Sequence, residues 1–379
     1  MKIGIVCYPT FGGSGVVATE LGKALADKGH HIHFITYSQP VRLEHFHENI
    51  SYHEVAVSKY PLFDYAPYES ALTSKLVDVV RYEKLEMLHV HYAIPHASVA
   101  YMAKQILATF GIHIPVVTTL HGTDITLVGR DASFEPVVTF AINHSDGITA
   151  VSDSLRRDTF DNFRITKEIE VIPNFIDLKR FSKQPKDHFK KAIAPQGERL
   201  IVHTSNFRKV KRVEDVLKVF DRVREILPAK LLLIGDGPER TNMEKTARCL
   251  AHPEDVRFLG KQEAVEEILS VCDLFIMPSE TESFGLAALE AMACQVPVIA
   301  SNAGGVPELI IQGVTGFMSA VGDVDEMAKN AITILSNDET LLQFKTNAMS
   351  RAREFDINVV MPLYEKYYLK VMNELKVMV

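Results

Sequence analysis

At 379 residues the chain is long enough for two domains of roughly 100 to 200 residues, each with a real core. Its hydrophobic share of 47% and charged share of 23% are those of a globular protein rather than a disordered or fibrous one. The formal net charge of -7, without a block of like charges, argues against a nucleic-acid partner.

The opening run Lys2 to Cys7 reads as a strand, and Pro9 and Gly12 break it too early for a signal peptide. No run approaches the ~20 apolar residues that span a bilayer, so a cytoplasmic protein without a membrane span is expected. Cys7, Cys249, Cys272 and Cys294 show no C-x-x-C spacing, three lie in apolar runs, and all four read as reduced core residues.

Along the chain, short apolar runs alternate with longer helical patterns, which predicts βα units and parallel sheets. In the first half the strands are expected at Lys2 to Cys7, His31 to Thr36, Met87 to His91, Pro115 to Leu120, Gly147 to Ala150 and Glu170 to Ile172. A polar stretch from Lys179 to Lys191 follows, after which the pattern restarts at Leu200 to Thr204, Lys230 to Ile234, Val256 to Leu259, Leu274 to Met277 and Pro297 to Ala300. The expected fold is α/β, two tandem doubly wound Rossmann-like domains facing a cleft. Residues 1–175 form the first and 176–359 the second, and an amphipathic helix at about 360–379 packs back on the first.

Gly12-Gly-Ser-Gly15 follows the first strand and precedes a helix expected from Val16 to about Lys28, so its backbone can approach an anion at a helix start. Gly13-Ser-Gly15-Val-Val-Ala18 also fits G-x-G-x-x-A, the fingerprint of a dinucleotide-binding oxidoreductase. Two details oppose that: five residues, Tyr8 to Gly12, separate strand from glycine, and the second strand ends Thr36-Tyr-Ser38 with no acid for a ribose diol. A purely structural glycine loop is the other alternative.

Thr118-Thr-Leu-His-Gly-Thr-Asp124 places a histidine just past a strand, with hydroxyl, carboxylate and backbone donors beside it. His89, His91 and His96 invite a metal reading, but no cysteine or carboxylate pattern joins them, and none is expected to hold a metal. Asn206-Phe-Arg-Lys-Val-Lys-Arg212 packs four cations into five positions after the first strand of the second half. Lys211 there is placed to neutralise a leaving diphosphate. Glu282-Ser-Phe-Gly-Leu-Ala-Ala-Leu-Glu290 sets two carboxylates eight positions apart around a Phe-Gly turn opening an apolar helix. One carboxylate suits sugar hydroxyls, the other a ribose diol, and the backbone N–H groups near Phe284 and Gly285 favour a diphosphate between them. An ordinary amphipathic helix with one exposed glutamate is the bland reading. Gly235-Asp-Gly-Pro238 and Gly260-Lys261 close further βα turns, and Gly304-Gly305 and Gly313 to Gly316 read as tight loops on the same rim.

Together these motifs, in order and over nearly the whole chain, resemble the GT-B retaining glycosyltransferases of family 4. Cys7-Tyr-Pro, His89-Val-His-Tyr-Ala-Ile-Pro-His96 and Ser205-Asn-Phe-Arg-Lys-Val-Lys-Arg212 are similar to its malate-specific members. The resemblance implies transfer of N-acetylglucosamine from UDP-N-acetylglucosamine to the hydroxyl of L-malate, with retention and no metal or other cofactor, as the first step of bacillithiol biosynthesis. It implies catalytic roles for His121, Lys211 and Glu282. Gly13, Gly235, Lys261, Ser283, Phe284, Gly285, Leu286 and Glu290, with Lys211 and Glu282, would hold the donor. Ser14, Tyr92, Thr119 and Asn206 would line the acceptor site. Most relatives carry arginine at 206, and many read Pro-Asn-Gly where this chain has Pro173-Asn-Phe175. Another acceptor (an inositol phosphate, a lipid or a glycan), a nucleotide-sugar epimerase of the same architecture and a non-enzymatic nucleotide-binding module stay open, as does homo-oligomerisation.

Overall fold

The computed structural model describes residues 1–10, 12–57, 66–127 and 131–378. Phe11, within the Tyr8 to Gly12 spacer, and Val379, at the end of the expected last helix, lie outside them. The chain divides into two compact units, residues 1–174 with 357–379, and residues 175–356.

The first unit holds seven strands, β1 (Lys2–Val6), β2 (His31–Thr36), β3 (Ile50–Glu54), β4 (Met87–His91), β5 (Val116–Leu120), β6 (Gly147–Ala150) and β7 (Glu170–Val171). They pair in the order β3-β2-β1-β4-β5-β6-β7, every pair parallel. Central β4 and β5 are buried along their whole length, as a sheet covered on both faces requires, and so they read as unbroken apolar or small-polar runs. The helix at Gly13–Asp27 starts three residues before the expected one, because glycine and serine at its first turn leave the backbone free to coil directly out of the loop.

The last helix, Ile357–Met378, belongs to this unit. Tyr364 and Tyr368 on it are fully buried. The Tyr367 hydroxyl donates to the carbonyl of Ile148 at 3.0 Å and accepts from its N–H at 2.7 Å, a clamp on β6. Gly147 has no room for a side chain there: a Cβ would stand 2.6 Å from Val371.

The second unit holds β8 (Arg199–Ser205), β9 (Ala229–Gly235), β10 (Val256–Gly260), β11 (Leu274–Met277), β12 (Val298–Ser301) and β13 (Gly316–Ser319), in the order β10-β9-β8-β11-β12-β13, again all parallel. Its core packs Val216, Val219, Phe220 and Val223 of the helix Val213–Ile226 with Met327, Ala331 and Ile334 of the helix Val324–Leu335 over Ile201, Leu231 and Ile276. Both units therefore carry the strand–helix alternation of a doubly wound fold, in which ligands bind beyond the carboxyl ends of the strands.

Two strands escaped the sequence reading, β3 and β13. Each is an edge strand, β3 without a buried residue and β13 of only four residues with its middle two partly exposed, and so lacks the apolar run that marks its neighbours. Of the cysteines, Cys7, Cys272 and Cys294 are buried and reduced, and burial raises the thiols of Cys7 and Cys294 to about 12. Cys249 departs from the expectation: it is exposed at the end of a short helix, where its neighbours face solvent.

Candidate active site

In the second unit the decisive residues sit beyond β8 and β11, which are hydrogen-bonded neighbours. After β8 the chain turns through Asn206 and Phe207, passes a single turn of 3-10 helix at Lys209–Lys211, and enters the next helix at Val213. Phe207 is fully buried at a φ of 35°, so its side chain pins the loop while Asn206, Arg208 and Lys209 stay exposed. His203 props the strand end from below. Its Nδ1 donates to the Ile276 carbonyl at 2.8 Å, which leaves Nε2 to accept from the Ser205 hydroxyl at 2.8 Å. Burial lowers this imidazole to about 4 and keeps it neutral.

Lys211 Nζ donates to a Glu282 carboxylate oxygen at 2.6 Å, both side chains being about one-fifth exposed. The two groups expected to act together are thus in contact, with the ammonium already neutralised by the carboxylate. The Glu282 backbone is held by the tight loop after β12: Gly305 N–H donates to its carbonyl at 2.8 Å, and a Cβ on Gly304 would come within 2.0 Å of that oxygen. Gly285 follows with a φ of 96° and caps the helix Leu286–Ala293 without any side-chain cap, leaving that helix's first N–H groups for a ligand. Phe284 is buried edge-on against Phe355 at 5.5 Å, while Ser283 and Leu286 are partly open. Glu290 is 9% exposed, one turn into the helix.

Gly235 and Gly237 explain themselves by packing. A Cβ on Gly235 would lie 1.8 Å from the Ser205 carbonyl, and one on Gly237 2.0 Å from that of Asn206. The turn after β9 is therefore laid directly against the β8 loop. Lys261 is exposed, just past β10. Arg212, the last of the four cations in the run after β8, is committed elsewhere, bonded to Asp215 at 2.6 Å and to Glu280 at 3.1 Å.

In the first unit the corresponding strand ends carry a cluster of neutral histidines. His91 Nδ1 and His121 Nε2 share one proton at 2.8 Å, and their rings stack at 5.0 Å. His96 Nδ1 donates to the His91 carbonyl at 2.6 Å, and His89 is held between Thr119 Oγ1 at 2.7 Å and the Tyr368 hydroxyl at 2.8 Å. Desolvation pulls His89 and His121 down to about 3 and His96 to about 4, so none carries charge near pH 7. Asp124 joins the two loops, accepting N–H bonds from Ala93 at 2.8 Å and Gly122 at 3.0 Å. Burial raises it to about 6 against the pull of those bonds. With its oxygens taken up by the backbone, Asp124 serves as a brace and not as a nucleophile.

Tyr92, at a φ of 84°, donates from its hydroxyl to Ser14 Oγ at 2.6 Å, which brings two expected acceptor residues together beside exposed Gly13. Gly15 is obligatory, since a Cβ would meet the Tyr8 and Thr10 carbonyls at 2.5 Å. Thr119 corrects the expectation. It is fully buried, its hydroxyl bonded to His89 and to Thr149 at 2.7 Å, so it supports Tyr92 through its carbonyl, which accepts the Tyr92 N–H at 2.9 Å. The inward face of an all-buried parallel strand looks like any other in sequence, and this one carries threonine where neighbours carry valine.

Family models for the glycosyl transferases group 1 and for glycosyltransferase family 4 match residues 184–351 and 11–180. N-acetyl-alpha-D-glucosaminyl L-malate synthase of Bacillus anthracis is 46% identical over 99% of this chain and 98% of its own length. The chain belongs to the family 4 glycosyltransferases. An uncharacterized glycosyltransferase of Methanocaldococcus jannaschii is 25% identical over 92% of each chain. Among solved structures, Anabaena HepE in complex with UDP-glucose superposes with a TM-score of 0.82 at 21% identity, over 98% of this chain and all of that one. Sucrose-phosphate synthase from Thermosynechococcus elongatus reaches 0.82 at 19% identity, over 99% of this chain and 100% of that one. The two Rossmann-like units are accordingly those of the GT-B class, and the chain is a glycosyltransferase. None of its described helices is long and apolar enough to cross a membrane.

The dinucleotide fingerprint at Gly13 is thereby absorbed into a glycosyltransferase loop. Sequence reasoning passed over His203, gave Ser205 only as part of a motif, and named the Asp124 carboxylate without its bracing role. Their signal is slight, a polar residue among apolar ones near the carboxyl end of a strand.

Proposed function

We propose that this glycosyltransferase transfers N-acetylglucosamine from UDP-N-acetylglucosamine to the hydroxyl of L-malate, with retention at the anomeric carbon. The observation that carries the reading is the Lys211–Glu282 pair beside the uncapped start of the Leu286–Ala293 helix, a cation and free N–H groups suited to a sugar diphosphate. The near full-length relationship to the malate synthase supports the choice of sugar and acceptor.

On this reading the diphosphate takes Lys211 from Glu282, and the released carboxylate accepts hydrogen bonds from the donor sugar. Glu290 holds the ribose diol. As the bond from the anomeric carbon to the phosphate oxygen breaks, that oxygen accepts the proton of the malate hydroxyl, and the malate oxygen bonds the same face of the carbon. UDP leaves with the proton. Lys211 and the helix start stabilise the departing charge, so no metal ion is needed. Neutral His121 and the backbone at Gly13 contact the donor sugar and phosphate; from the second unit Ser283, Phe284, Gly285 and Leu286 do so too, with Gly235 and Lys261 toward the base. Ser14, Tyr92 and Asn206 bind malate by hydroxyl and amide, and the reaction takes place in the cytoplasm, where malate and the nucleotide sugar occur together.

The test is product analysis. The protein, with UDP-N-acetylglucosamine and an equimolar mixture of malate, inositol phosphate and a short glycan in excess EDTA, should yield UDP and one α-linked malate glycoside by mass spectrometry and proton NMR. Glycosylation of another acceptor, epimerised donor without transfer, or a strict metal requirement overturns the reading.

A further inference from the structure

Three groups with no part in glycosyl transfer meet at the edge of the first unit's sheet. His33 on β2, His53 on β3 and Glu83 in the last turn of the helix Tyr68–Glu83 each offer one ligand atom, all within 4.8 Å of one another. Ser51 lies opposite His33 and His53 opposite Ile35, so the two histidines stand on the same face as diagonal neighbours. Their rings stack at 5.2 Å and 18°, with His33 Nδ1 3.0 Å from His53 Nε2. In the strand order β1 and β4 separate this pair from β5, whose loop carries His121.

Such a contact between two imidazoles needs one ring to accept through an unprotonated nitrogen, so at least one of the two is neutral. His33 is 5% exposed, and burial and then His53 hold it at about 4, while burial lowers His53 as well. Lone-pair donors are thus present at neutral pH. Two neutral imidazoles and a carboxylate make up the protein share of a zinc site that keeps one position for water. Zn–N bonds of about 2.0 to 2.1 Å at a tetrahedral angle separate two ligand nitrogens by roughly 3.4 Å, close to the spacing already present. An ion would replace the shared proton, with both rings tilting so that their lone pairs converge on it. The groups opposing a cation here are Lys2, whose Nζ donates to the Glu83 carbonyl at 2.9 Å, Lys75 and His31; Asp78 adds a negative charge.

We propose that His33, His53 and Glu83 form a site for one divalent transition-metal ion of the zinc class. It ties edge strand β3 to β2 and to the end of the helix that covers them.

The experiment titrates chelator-stripped full-length protein with cobalt(II), followed by visible absorption, and with zinc(II), followed by calorimetry and by the melting temperature. One equivalent should bind, with the visible bands of a four- or five-coordinate site and a raised melting temperature. His53→Gln and Glu83→Gln should each weaken uptake by more than the roughly tenfold typical of losing an outer partner. Circular dichroism confirms that each variant is folded, and either alone suffices. His252→Gln, which disrupts the other carboxylate–histidine group among the described residues, at His252, Glu254 and Asp255, should leave uptake unchanged. Absence of uptake by the unsubstituted protein, uptake unaffected by both site variants, or uptake abolished by His252→Gln overturns the proposal.

Discussion

Glu290 shows what a single residue can and cannot reveal in sequence. Its spacing from Glu282 marks it as a candidate, but its near-complete burial is a property of the folded unit, where the helix Leu286–Ala293 is apolar on almost every other side. On the proposed reading, in which it holds the ribose diol, Glu290→Gln should weaken UDP binding by about 1.5 to 3 kcal/mol, roughly ten- to a hundredfold. Calorimetry with UDP measures this directly, and unchanged affinity would remove Glu290 from the nucleotide. Thr119 is the opposite case. It belongs to the right motif, but strand alternation turns its hydroxyl inward to His89 and Thr149, and a motif alone does not say which way a side chain faces.

Among the elements, the strands beneath the site were readable because burial on both faces forces a continuous apolar run, as in Leu274–Met277, whose bounds the sequence gives without error. Loops are read less well, since their geometry depends on backbones approaching one another. The Gly304-Gly305 loop reads only as a tight turn. In the structure it closes on the Glu282 carbonyl, and through it fixes the carboxylate that pairs with Lys211. Gly304→Ala should therefore push Glu282 away at a cost of about 1 to 3 kcal/mol. The expected outcome is a folded protein by circular dichroism, with donor affinity reduced at least several-fold. Wild-type donor affinity in that variant would show that the loop does not position Glu282.

At the scale of the whole molecule, the two units differ in how they carry buried histidine. In the first, His89 and His121 are held at about 3 and His33 and His96 at about 4, with His91 also lowered; in the second, His203 at about 4 is the one such group among the described residues. The folded pKa values lie below the ordinary 6.5, so the unfolded chain takes up protons first as pH falls. The stability these groups contribute is complete above 6.5 and is lost on the way down to about 3, at up to about 1.4 kcal/mol per pH unit for each. Asp124, raised to about 6, works in the other direction between 6 and its ordinary 3.8 and offsets one histidine at most. Hydrogen exchange followed by mass spectrometry at pH 5 should find residues 1–174 opening before residues 175–356. The reverse order would contradict the assigned protonation states.

The central claim is acceptor choice, and Asn206 bears on it, exposed in the loop that leads to Lys211. A site that satisfies both malate carboxylates leaves donors unpaired when one carboxylate is missing. The most direct measurement is kcat/KM for L-malate against lactate, with UDP-N-acetylglucosamine as donor and UDP release as readout. The account predicts a preference for malate of roughly a hundredfold or more. Equal turnover of the two acids, or UDP release that neither acid accelerates, would contradict it.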